Sequence, residues 1–397
     1  MTQKQNTDDA DKIRISSVSS AVWICCQLGA REHYAVPRAL QRDGLLAGLI
    51  TDLWLRRAGR FHPDLASARI SAPNLAALRF ELKASLAREN GWKLIKQRNE
   101  WFQHQAIAQL KRTANAAHTI FAYSYAACEI FEFARARGWR TVLGQIDPGP
   151  AEERIVASLQ TNSDGKWNPA PKSYWDNWRC ECALADRILV NSKWSRDALL
   201  SEGIPAEKIH IMPLAYESSH SFQRLYPGTF TGERPLRVLF LGQINLRKGV
   251  RQLLDAVQLL NGEPVEFWFV GPTQIHVSQE FRLHPQCRWF GAAPRVEVDS
   301  YYRDADVFIL PTLSDGFGLT QLEAQSWKLP VIASRYCGEV VRDGFNGVLL
   351  DEVSGQAIAN VLRQFLQTPA TLSGMSVRSC VDNRFSLQAL ASSLKSL

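Results

Sequence analysis

The sequence has little of what membrane-spanning, metal-binding or disordered proteins require. Its first apolar run, residues 21–26, is far shorter than the roughly 18–20 residues of a membrane helix, so we expect a non-spanning, cytoplasmic protein. The 397 residues contain no low-complexity stretch and are 46% hydrophobic and 21% charged, which excludes disordered and collagen-like classes. A chain of this length predicts two or three domains.

Cysteine occurs eight times, but never as a CxxC pair or beside histidine at zinc-finger spacing, which predicts reduced core thiols and no metal site. The sequence also lacks a GxGxxG fingerprint after a strand, which disfavours a nicotinamide-dependent dehydrogenase. No recognised nucleic-acid-binding motif is present, so no nucleic-acid partner is expected. The cysteines stand at positions 25, 26, 128, 180, 182, 287, 337 and 380.

Positive charge is concentrated in the N-terminal half. There are 29 basic and 22 acidic residues up to Ala215, and 17 of each from Tyr216 onward, so the first half carries the whole net charge of +7. Within it, residues 53–114 contain 12 basic and four acidic residues. Either these charges are solvated helix faces, or they bind an anionic acceptor or the anionic inner face of a membrane. The aromatic residues suited to such an interface are Trp54, Trp92, Trp101 and Phe102.

Short apolar runs alternate with amphipathic segments, which is the pattern of parallel strands joined by helices. A polar stretch with glycine and proline, 217–235, is predicted to link an N-terminal domain, 1–216, to a C-terminal domain, 236–380. A helix over 381–397 is expected to pack back on the first domain. Residues 53–114 hold no convincing strand and contain helical runs at 76–89 and 95–112. The predicted strands are 21–26, 119–122, 140–146, 187–191, 209–212, 236–241, 265–270, 306–310, 330–333 and 347–350.

The strongest chemical signal is PTLSDGFGLTQLEAQSWKLPVIAS, residues 311–334. A buried strand ends in a polar turn, where Gly316 and Gly318 allow the backbone to approach a ligand closely, and a helix follows. Amide groups at the start of that helix can hold phosphate or sugar oxygens. Because Asp315 and Glu323 are eight positions apart, both can face one crevice at the carboxyl ends of the strands.

This segment resembles the EGFGLxxLEAxAxGxPVIAS motif of retaining glycosyltransferases of family 4, which have the two-domain GT-B fold. The resemblance implies an α/β protein with two Rossmann-like, doubly wound domains facing each other across a cleft. It also implies that Glu323 binds the ribose hydroxyls, and that Asp315, in the slot of the family's first glutamate, holds the donor sugar. The backbone segment that would hold the sugar and its distal phosphate is Gly316, Phe317, Gly318, Leu319 and Thr320.

A second motif, VLFLGQINLRKGVRQLLDA at 238–256, resembles the family's strand, GRLxxxKG loop and helix. The resemblance implies that Lys248 offsets the diphosphate charge and that Gly242 occupies a glycine slot. The arginine slot contains Gln243, so Arg247 is the expected replacement. Weaker matches lie at 185–217, 288–311 and 338–350.

On the N-terminal side the sequence departs from the family. The family's glycine-rich first loop corresponds here to CQLGAREHYAVPRAL, and its histidine positions are occupied by Tyr123 and Ser124 in FAYSY and by Ile146 and Asp147 in QID. His33 is therefore the imidazole expected to contact the sugar or acceptor, although a lone loop histidine is commonly structural. The candidate residues of the first loop and acceptor side are Gly29, Arg31, Glu32, His33, Tyr123 and Asp147.

The resemblance implies a retaining, hexosyl-type glycosyltransferase of polysaccharide or glycoconjugate biosynthesis, with Asp315, Lys248 and His33 as catalytic candidates. It would move a sugar from a nucleoside-diphosphate donor to a glycan, lipid-linked or small-molecule acceptor. Because Lys248, Arg247 and helix amides can stabilise the leaving group, no metal or other cofactor is expected. Two alternatives remain open: a GT-B-fold epimerase or phosphorylase, and a nucleotide-sugar-binding homologue without activity.

Overall fold

Two parallel sheets organise the computed structural model, which describes residues 22–55, 62–112, 118–160, 167–217 and 220–397. The first sheet has the strand order β3-β2-β1-β4-β5-β6-β7. Its strands are β1 (Val22–Gln27), β2 (Leu46–Thr51), β3 (Ile70–Ser71), β4 (His118–Tyr123), β5 (Arg140–Gln145), β6 (Arg187–Val190) and β7 (Ile209–Ile211). Its helices are α1 (Ala35–Arg42), α2 (Asn74–Leu86), α3 (Gly91–Leu110), α4 (Cys128–Arg135), α5 (Pro150–Leu159), α6 (Lys172–Leu184) and α7 (Lys193–Ser201).

The second sheet has the order β10-β9-β8-β11-β12-β13. Its strands are β8 (Leu236–Leu241), β9 (Val265–Val270), β10 (Cys287–Gly291), β11 (Val307–Leu310), β12 (Val331–Ala333) and β13 (Gly347–Leu349). The helices of this half are α8 (Val250–Leu259), α9 (Gln279–Arg282), α10 (Arg295–Asp304), α11 (Thr320–Ser326), α12 (Gly355–Gln367), α13 (Ala370–Arg378) and α14 (Leu387–Lys395). Because most of these strands are buried on both faces, they consist of nearly continuous apolar runs.

Both sheets follow the doubly wound order, in which the chain reverses direction beside the first strand. The reversal lies between β1 and β4 in the first sheet and between β8 and β11 in the second. Ligands of such sheets bind in the crevice outside the carboxyl ends of the strands at this point. The topology therefore directs attention to the loops that follow these four strands.

All ten predicted strands are present to within one residue at each end, although Ala21 lies outside the described residues. The expectation of no strand in 53–114 was wrong, because Ile70–Ser71 forms an edge strand that pairs with β2, itself unpredicted. A two-residue strand at a sheet edge is too short to show a period in the sequence. The predicted helical runs of that region correspond to α2 and α3.

The end of the chain returns to the first domain. Leu390 and Leu394 of α14 are buried in one apolar cluster with Val36 and Leu40 of α1. No helix or strand occurs among the described residues between β7 and β8. None of the helices among the described residues combines the length and apolar character needed to cross a bilayer.

The expectation of reduced core thiols was wrong for two cysteines. Cys128 at the start of α4 and Cys180 in α6 form a disulfide, with their Cα atoms 5.9 Å apart. Their separation of 52 residues gives no signal in the sequence, because only the side-by-side packing of the two helices brings them together. Cys380 is free but exposed rather than in the core.

Candidate functional site

The loops after β8 and β11 lie against each other at the switch point of the second sheet. Gly249 has φ of 73°, and a Cβ atom on it would lie 1.9 Å from the carbonyl oxygen of Pro311, so only glycine permits this approach. The contact places Lys248 beside Asp315, and their side chains form an ion pair. Arg247 Nη1 lies 3.7 Å from Asp315 Oδ1. Three of the predicted donor-site side chains are thus brought together.

The charge state of Asp315 follows from this cluster. Burial raises the pKa of its carboxyl, but the neighbouring Lys248 and Arg247 outweigh burial and hold the net pKa below its ordinary value. The carboxylate is therefore ionised and neutralised by two cations. Gly242, whose φ is 146°, and the exposed side chain of Gln243 form the start of the same loop.

Glu323, the residue expected to bind the ribose, lies in α11, the helix that follows Asp315 in the sequence. Its Oε2 accepts a hydrogen bond of 2.8 Å from the Tyr302 hydroxyl. Burial raises the pKa of the Glu323 carboxyl, and the Tyr302 hydrogen bond and Arg295 oppose that rise. Glu323 is in the first turn of α11, on the side that faces α10.

The glycine-bearing turn also contacts the N-terminal domain. A Cβ atom on Gly316 would lie 2.1 Å from the carbonyl oxygen of Ile146. Because glycine has no side chain, the backbone of the N-terminal domain can approach the turn this closely. The ring of Phe317 is buried and contacts Phe385, which leaves only its backbone for a ligand. Gly318 has φ of 76°, and α11 begins at Thr320, directly after Leu319.

The two domains meet at Ser314 and Glu152, which the sequence analysis did not single out. Glu152 Oε2 accepts a hydrogen bond of 2.9 Å from Ser314 Oγ, and its Oε1 lies 3.4 Å from Arg247 Nε. Burial raises the pKa of Glu152 to about 7 against the opposing effect of Arg247, and Asp147 and Asp315 add to the rise. The sequence pattern that could have indicated Glu152 is Gly-Pro followed by two glutamates in the first turn, which is typical of the start of a helix.

The first loop has an unusual backbone. Glu32, His33 and Tyr34 have φ values of 51°, 53° and 58°, a left-handed conformation that non-glycine residues rarely adopt three in a row. Gly29, with φ of 72°, donates its N–H to Asp52 Oδ1 at 2.8 Å, which fixes the start of the loop. Such conformations persist only where surrounding contacts hold them and are commonly found at functional sites.

Those contacts determine the charge of the loop's titratable groups. Tyr123 donates its hydroxyl to Glu32 Oε2 at 2.9 Å, yet burial raises the pKa of Glu32 to about 7. Burial, Arg295, His62 and Arg38 lower the pKa of His33 to about 4, so this imidazole is neutral near pH 7. Among the charged groups that act on His33, Arg295 belongs to the other domain, at the start of α10.

Asp147, at the end of β5, is held firmly in place. Its Oδ1 accepts hydrogen bonds from the Tyr125 hydroxyl at 2.5 Å, from Gly149 N–H at 2.8 Å and from Gln145 Nε2 at 3.1 Å. Its backbone lies against Gly316 of the donor-side turn. Asp147 thus lies on the N-terminal side of the cleft, which we term the N-terminal wall, whereas Ser124 is buried and donates its N–H to the carbonyl of Gly144 at 3.0 Å.

The C-terminal domain has a recognisable family pattern. Residues 227–378 match the family glycosyl transferases group 1. Over 203 residues the chain is 26% identical to the amylovoran biosynthesis glycosyltransferase AmsK of Erwinia amylovora, covering 47% of this chain and 49% of that protein. It is also 26% identical to D-inositol 3-phosphate glycosyltransferase 1 of Catenulispora acidiphila over 275 residues, or 61% of this chain and 62% of that one. The chain thus spans about half to three fifths of the length of these relatives.

Solved structures identify the architecture of the two domains. HepE of Anabaena in complex with UDP and glucose superposes with a TM-score of 0.62 at 14% identity, covering 94% of this chain and 100% of that one. Sucrose-phosphate synthase of Thermosynechococcus elongatus gives 0.68 at 17% identity, covering 94% and 98%. The fold is GT-B. The two GT-B domains are the two sheets described above, and the Lys248–Asp315 cluster lies between them.

Proposed function

We propose that this protein is a retaining glycosyltransferase of family 4 that transfers a hexosyl-type sugar from a nucleoside-diphosphate donor to an acceptor. The observation that carries the proposal is the cluster of Arg247, Lys248 and Asp315 at the switch point of the second sheet. A diphosphate entering here would replace Asp315 as the partner of Lys248, exchanging one anion for another. Asp315 would then be free to accept a hydrogen bond from the sugar, which is stronger to a charged acceptor.

In the proposed reaction the bond between the sugar's anomeric carbon and the phosphate oxygen breaks, and the acceptor oxygen bonds to the same face. The acceptor's proton passes to a phosphate oxygen of the leaving diphosphate, so no protein nucleophile is needed. Arg247 and Lys248 stabilise the growing negative charge of the leaving group without a divalent ion. Asp315 stabilises the positive charge that develops on the sugar ring.

The test measures donor binding and turnover in one set of experiments. Purified protein is incubated with UDP-, GDP- and ADP-sugars, and thermal stabilisation, nucleotide release and the anomeric configuration of the product are measured, the last by NMR. We expect stabilisation by one donor, release of its nucleotide, a retained anomer and equal rates with and without EDTA. Glu323→Ala should weaken binding of the donor. Stabilisation by no nucleotide would refute the proposal.

The same experiment distinguishes the two alternatives. An epimerase would change the sugar without releasing the nucleotide, and a phosphorylase would need inorganic phosphate. A binding protein without activity would be stabilised by a nucleotide sugar but would release none. The non-catalytic alternative is motivated by the residues that replace the family's histidines, including Tyr123 and Asp147.

We further propose that α2 and its surroundings hold the protein on an anionic membrane surface, on the cytoplasmic side. Four leucines at helical spacing form what we term the leucine stripe: Leu75, Leu78, Leu82 and Leu86, with exposed fractions of 72%, 57%, 62% and 77%. The stripe lies opposite the buried face of α2, where Ala77 and Ala84 pack on the protein. A contiguous exposed apolar face of this kind is typical of an interaction site.

The charges beside the leucine stripe favour a lipid leaflet. Arg79 and Lys83 are exposed on the same helix, adjacent to the stripe. Apolar residues that insert among headgroups and cations that contact anionic lipids are the two components of interfacial binding. Arg56, Arg57 and Arg60 lie outside the described residues, and the notion that they add to this surface stays a prediction.

Vesicle co-sedimentation tests this surface. We expect binding to phosphatidylcholine vesicles containing phosphatidylglycerol, and weaker binding to phosphatidylcholine alone. The double variant Leu78→Gln/Leu82→Gln should bind at least about tenfold less, because two apolar contacts are lost. The matched control, Leu225→Gln/Leu283→Gln, alters leucines that are 82% and 72% exposed in the other half of the chain and should bind normally. Equal binding by both variants, or a stripe-dependent dimer without vesicles, would overturn the proposal.

A further inference from the structure

A cavity of about 200 Å³ opens beside the cluster where the two domains meet. We term it the aromatic pocket, because five of its ten lining residues have aromatic side chains. These are Trp92, Tyr125, Trp167, Tyr174 and Trp175. The remaining wall includes three carboxylates, Asp147, Glu152 and Glu153.

The pocket adjoins the donor side directly. Asp147 lies against Gly316, and Glu152 contacts both Ser314 and Arg247. All ten lining residues belong to the N-terminal domain: they lie on α3, α5 and α6, in the loops after β4 and β5 and, in the case of Trp167, in the segment before α6. A molecule in the pocket would therefore reach the reacting centre from the side opposite the donor.

The aromatic rings of the pocket form one connected cluster. Tyr125 and Tyr174 stack with their centroids 4.8 Å apart, and Trp92 and Trp175 contact Tyr174 at 4.9 and 5.2 Å. Trp92 donates its indole N–H to the carbonyl of Asn168 at 2.9 Å, and Trp175 donates its own to Glu153 at 2.5 Å. Because the protein already satisfies these polar atoms, the indoles present apolar surface to a ligand.

The charges in the pocket exclude an anion. Among the ten described residues that line it, three are carboxylates and none is lysine or arginine. An anionic group here would be desolvated beside like charges, which is strongly unfavourable. Burial raises the pKa of Tyr174, and Arg31 lies close enough to oppose part of that rise, but Arg31 is outside the lining.

The carboxylates are also already bound, which disfavours a cation. Glu153 accepts hydrogen bonds from Trp175 and from the N–H of Ala170, the latter at 2.5 Å. Asp147 accepts three hydrogen bonds, and Glu152 is bound to Ser314 and Arg247. Each carboxylate thus already has donors from the protein, and its oxygens retain lone pairs for hydroxyl groups.

We propose that the aromatic pocket is the acceptor subsite and that it binds one uncharged sugar ring. This inference rests on the proposed transferase function and adds the class of its acceptor. The apolar face of a sugar ring would lie on the aromatic side chains, and its hydroxyls would donate to the carboxylates. The volume is below the roughly 300–1,000 Å³ of pockets for drug-sized ligands, so a single ring fits rather than an oligosaccharide. The anionic acceptor predicted from the charge of residues 53–114 would then be anionic only outside this pocket.

The intrinsic fluorescence of the three tryptophans in the pocket provides a direct test. The neutral probes are the methyl glycosides of glucose, galactose and mannose in both anomers. The charged sugars used for comparison are glucuronic acid, glucose 6-phosphate and glucosamine. We expect at least one neutral glycoside to give a saturable change with a Kd at least tenfold lower than any charged sugar. Saturation by none of the neutral glycosides, or tighter binding of a charged sugar, would overturn the proposal.

Variants on one helix provide the matched control. Trp92→Leu should raise the Kd of the neutral glycoside at least tenfold. Trp101 is on the same helix as Trp92 but stacks on Phe80 outside the pocket, so Trp101→Leu should leave this Kd unchanged. Trp167→Leu is a second pocket variant if the first folds poorly. Equal affinity in Trp92→Leu and Trp101→Leu would contradict the assignment. Thermal stabilisation by nucleotide sugars is measured separately. If no nucleotide sugar stabilises the protein, the transferase proposal fails, whatever the result for the pocket.

Discussion

Two acidic side chains on opposite sides of the cleft share Arg247 as a neighbour, and burial raises the pKa of both, yet their net pKa shifts have opposite signs. Asp315 on the C-terminal wall has Lys248 and Arg247 beside it, and its pKa lies below the ordinary value. Glu152 on the N-terminal wall shares Arg247 and has Asp147 and Asp315 as neighbours, and its pKa is raised to about 7. The difference is one cation more on one wall and additional carboxylates on the other.

The two walls therefore suit different ligands. The C-terminal wall holds cations whose present partner is a carboxylate, so an incoming diphosphate can take that partner's place. The N-terminal wall holds carboxylates among aromatic rings, where hydroxyl groups fit and phosphates do not. Part of the basic excess of the N-terminal half lies on α2, where Arg79 and Lys83 are exposed.

The largest expected effect is on the C-terminal wall. Lys248→Ala removes the ammonium that pairs with Asp315 and should lower kcat/KM by at least about 100-fold, as for loss of a group that stabilises transition-state charge. The measurement is steady-state transfer or donor hydrolysis. Arg335→Ala, an exposed cation of the same domain, is the control and should retain full activity. Normal activity of Lys248→Ala would mean that this wall does not hold the diphosphate.

The two walls also differ in how far the sequence could describe them. The C-terminal wall is formed by contiguous segments that resemble family motifs, so the sequence indicated both the fold and Lys248 and Asp315 as residues of one site. The N-terminal wall is assembled from positions as distant as Trp92 and Trp175, which no local pattern connects. Their proximity depends on how α3 and α6 pack, and that packing is decided by tertiary contacts.

Gly316 shows a second limit of sequence reasoning. A glycine in a loop indicates that something approaches the backbone closely, but not what approaches. The motif predicts a ligand at the backbone of this turn, and the structure adds a contact that the motif did not indicate, with the carbonyl of Ile146. The disulfide between Cys128 and Cys180 was missed for the same reason, because the partner is distant in sequence.

The next effect tests the contact between the walls. In Gly316→Ala the added Cβ would lie 2.1 Å from the Ile146 carbonyl oxygen, so the walls must separate. We expect a loss of about 1–3 kcal/mol in the free energy of unfolding, typical of overpacking, measured by urea denaturation. Gly228→Ala, which meets no atom within 4 Å, should be neutral. Equal stability of both variants would show that the walls are not in contact in solution.

The smallest effect concerns the acid groups of the N-terminal wall. Glu32 titrates near 4.5 when unfolded, and burial raises its pKa to about 7 in the folded protein. The native state therefore holds a proton that the unfolded chain releases, so this group's stabilising contribution is complete below pH 4.5 and is lost as pH rises to 7. Glu32→Gln keeps an oxygen for the Tyr123 hydroxyl but cannot ionise, so between pH 4.5 and pH 8 its free energy of unfolding relative to the unchanged protein should rise, by no more than about 3 kcal/mol. Unfolding curves across this range should be flatter for Glu32→Gln than for the exposed control Glu100→Gln, and parallel curves would show that the first loop leaves Glu32 in water.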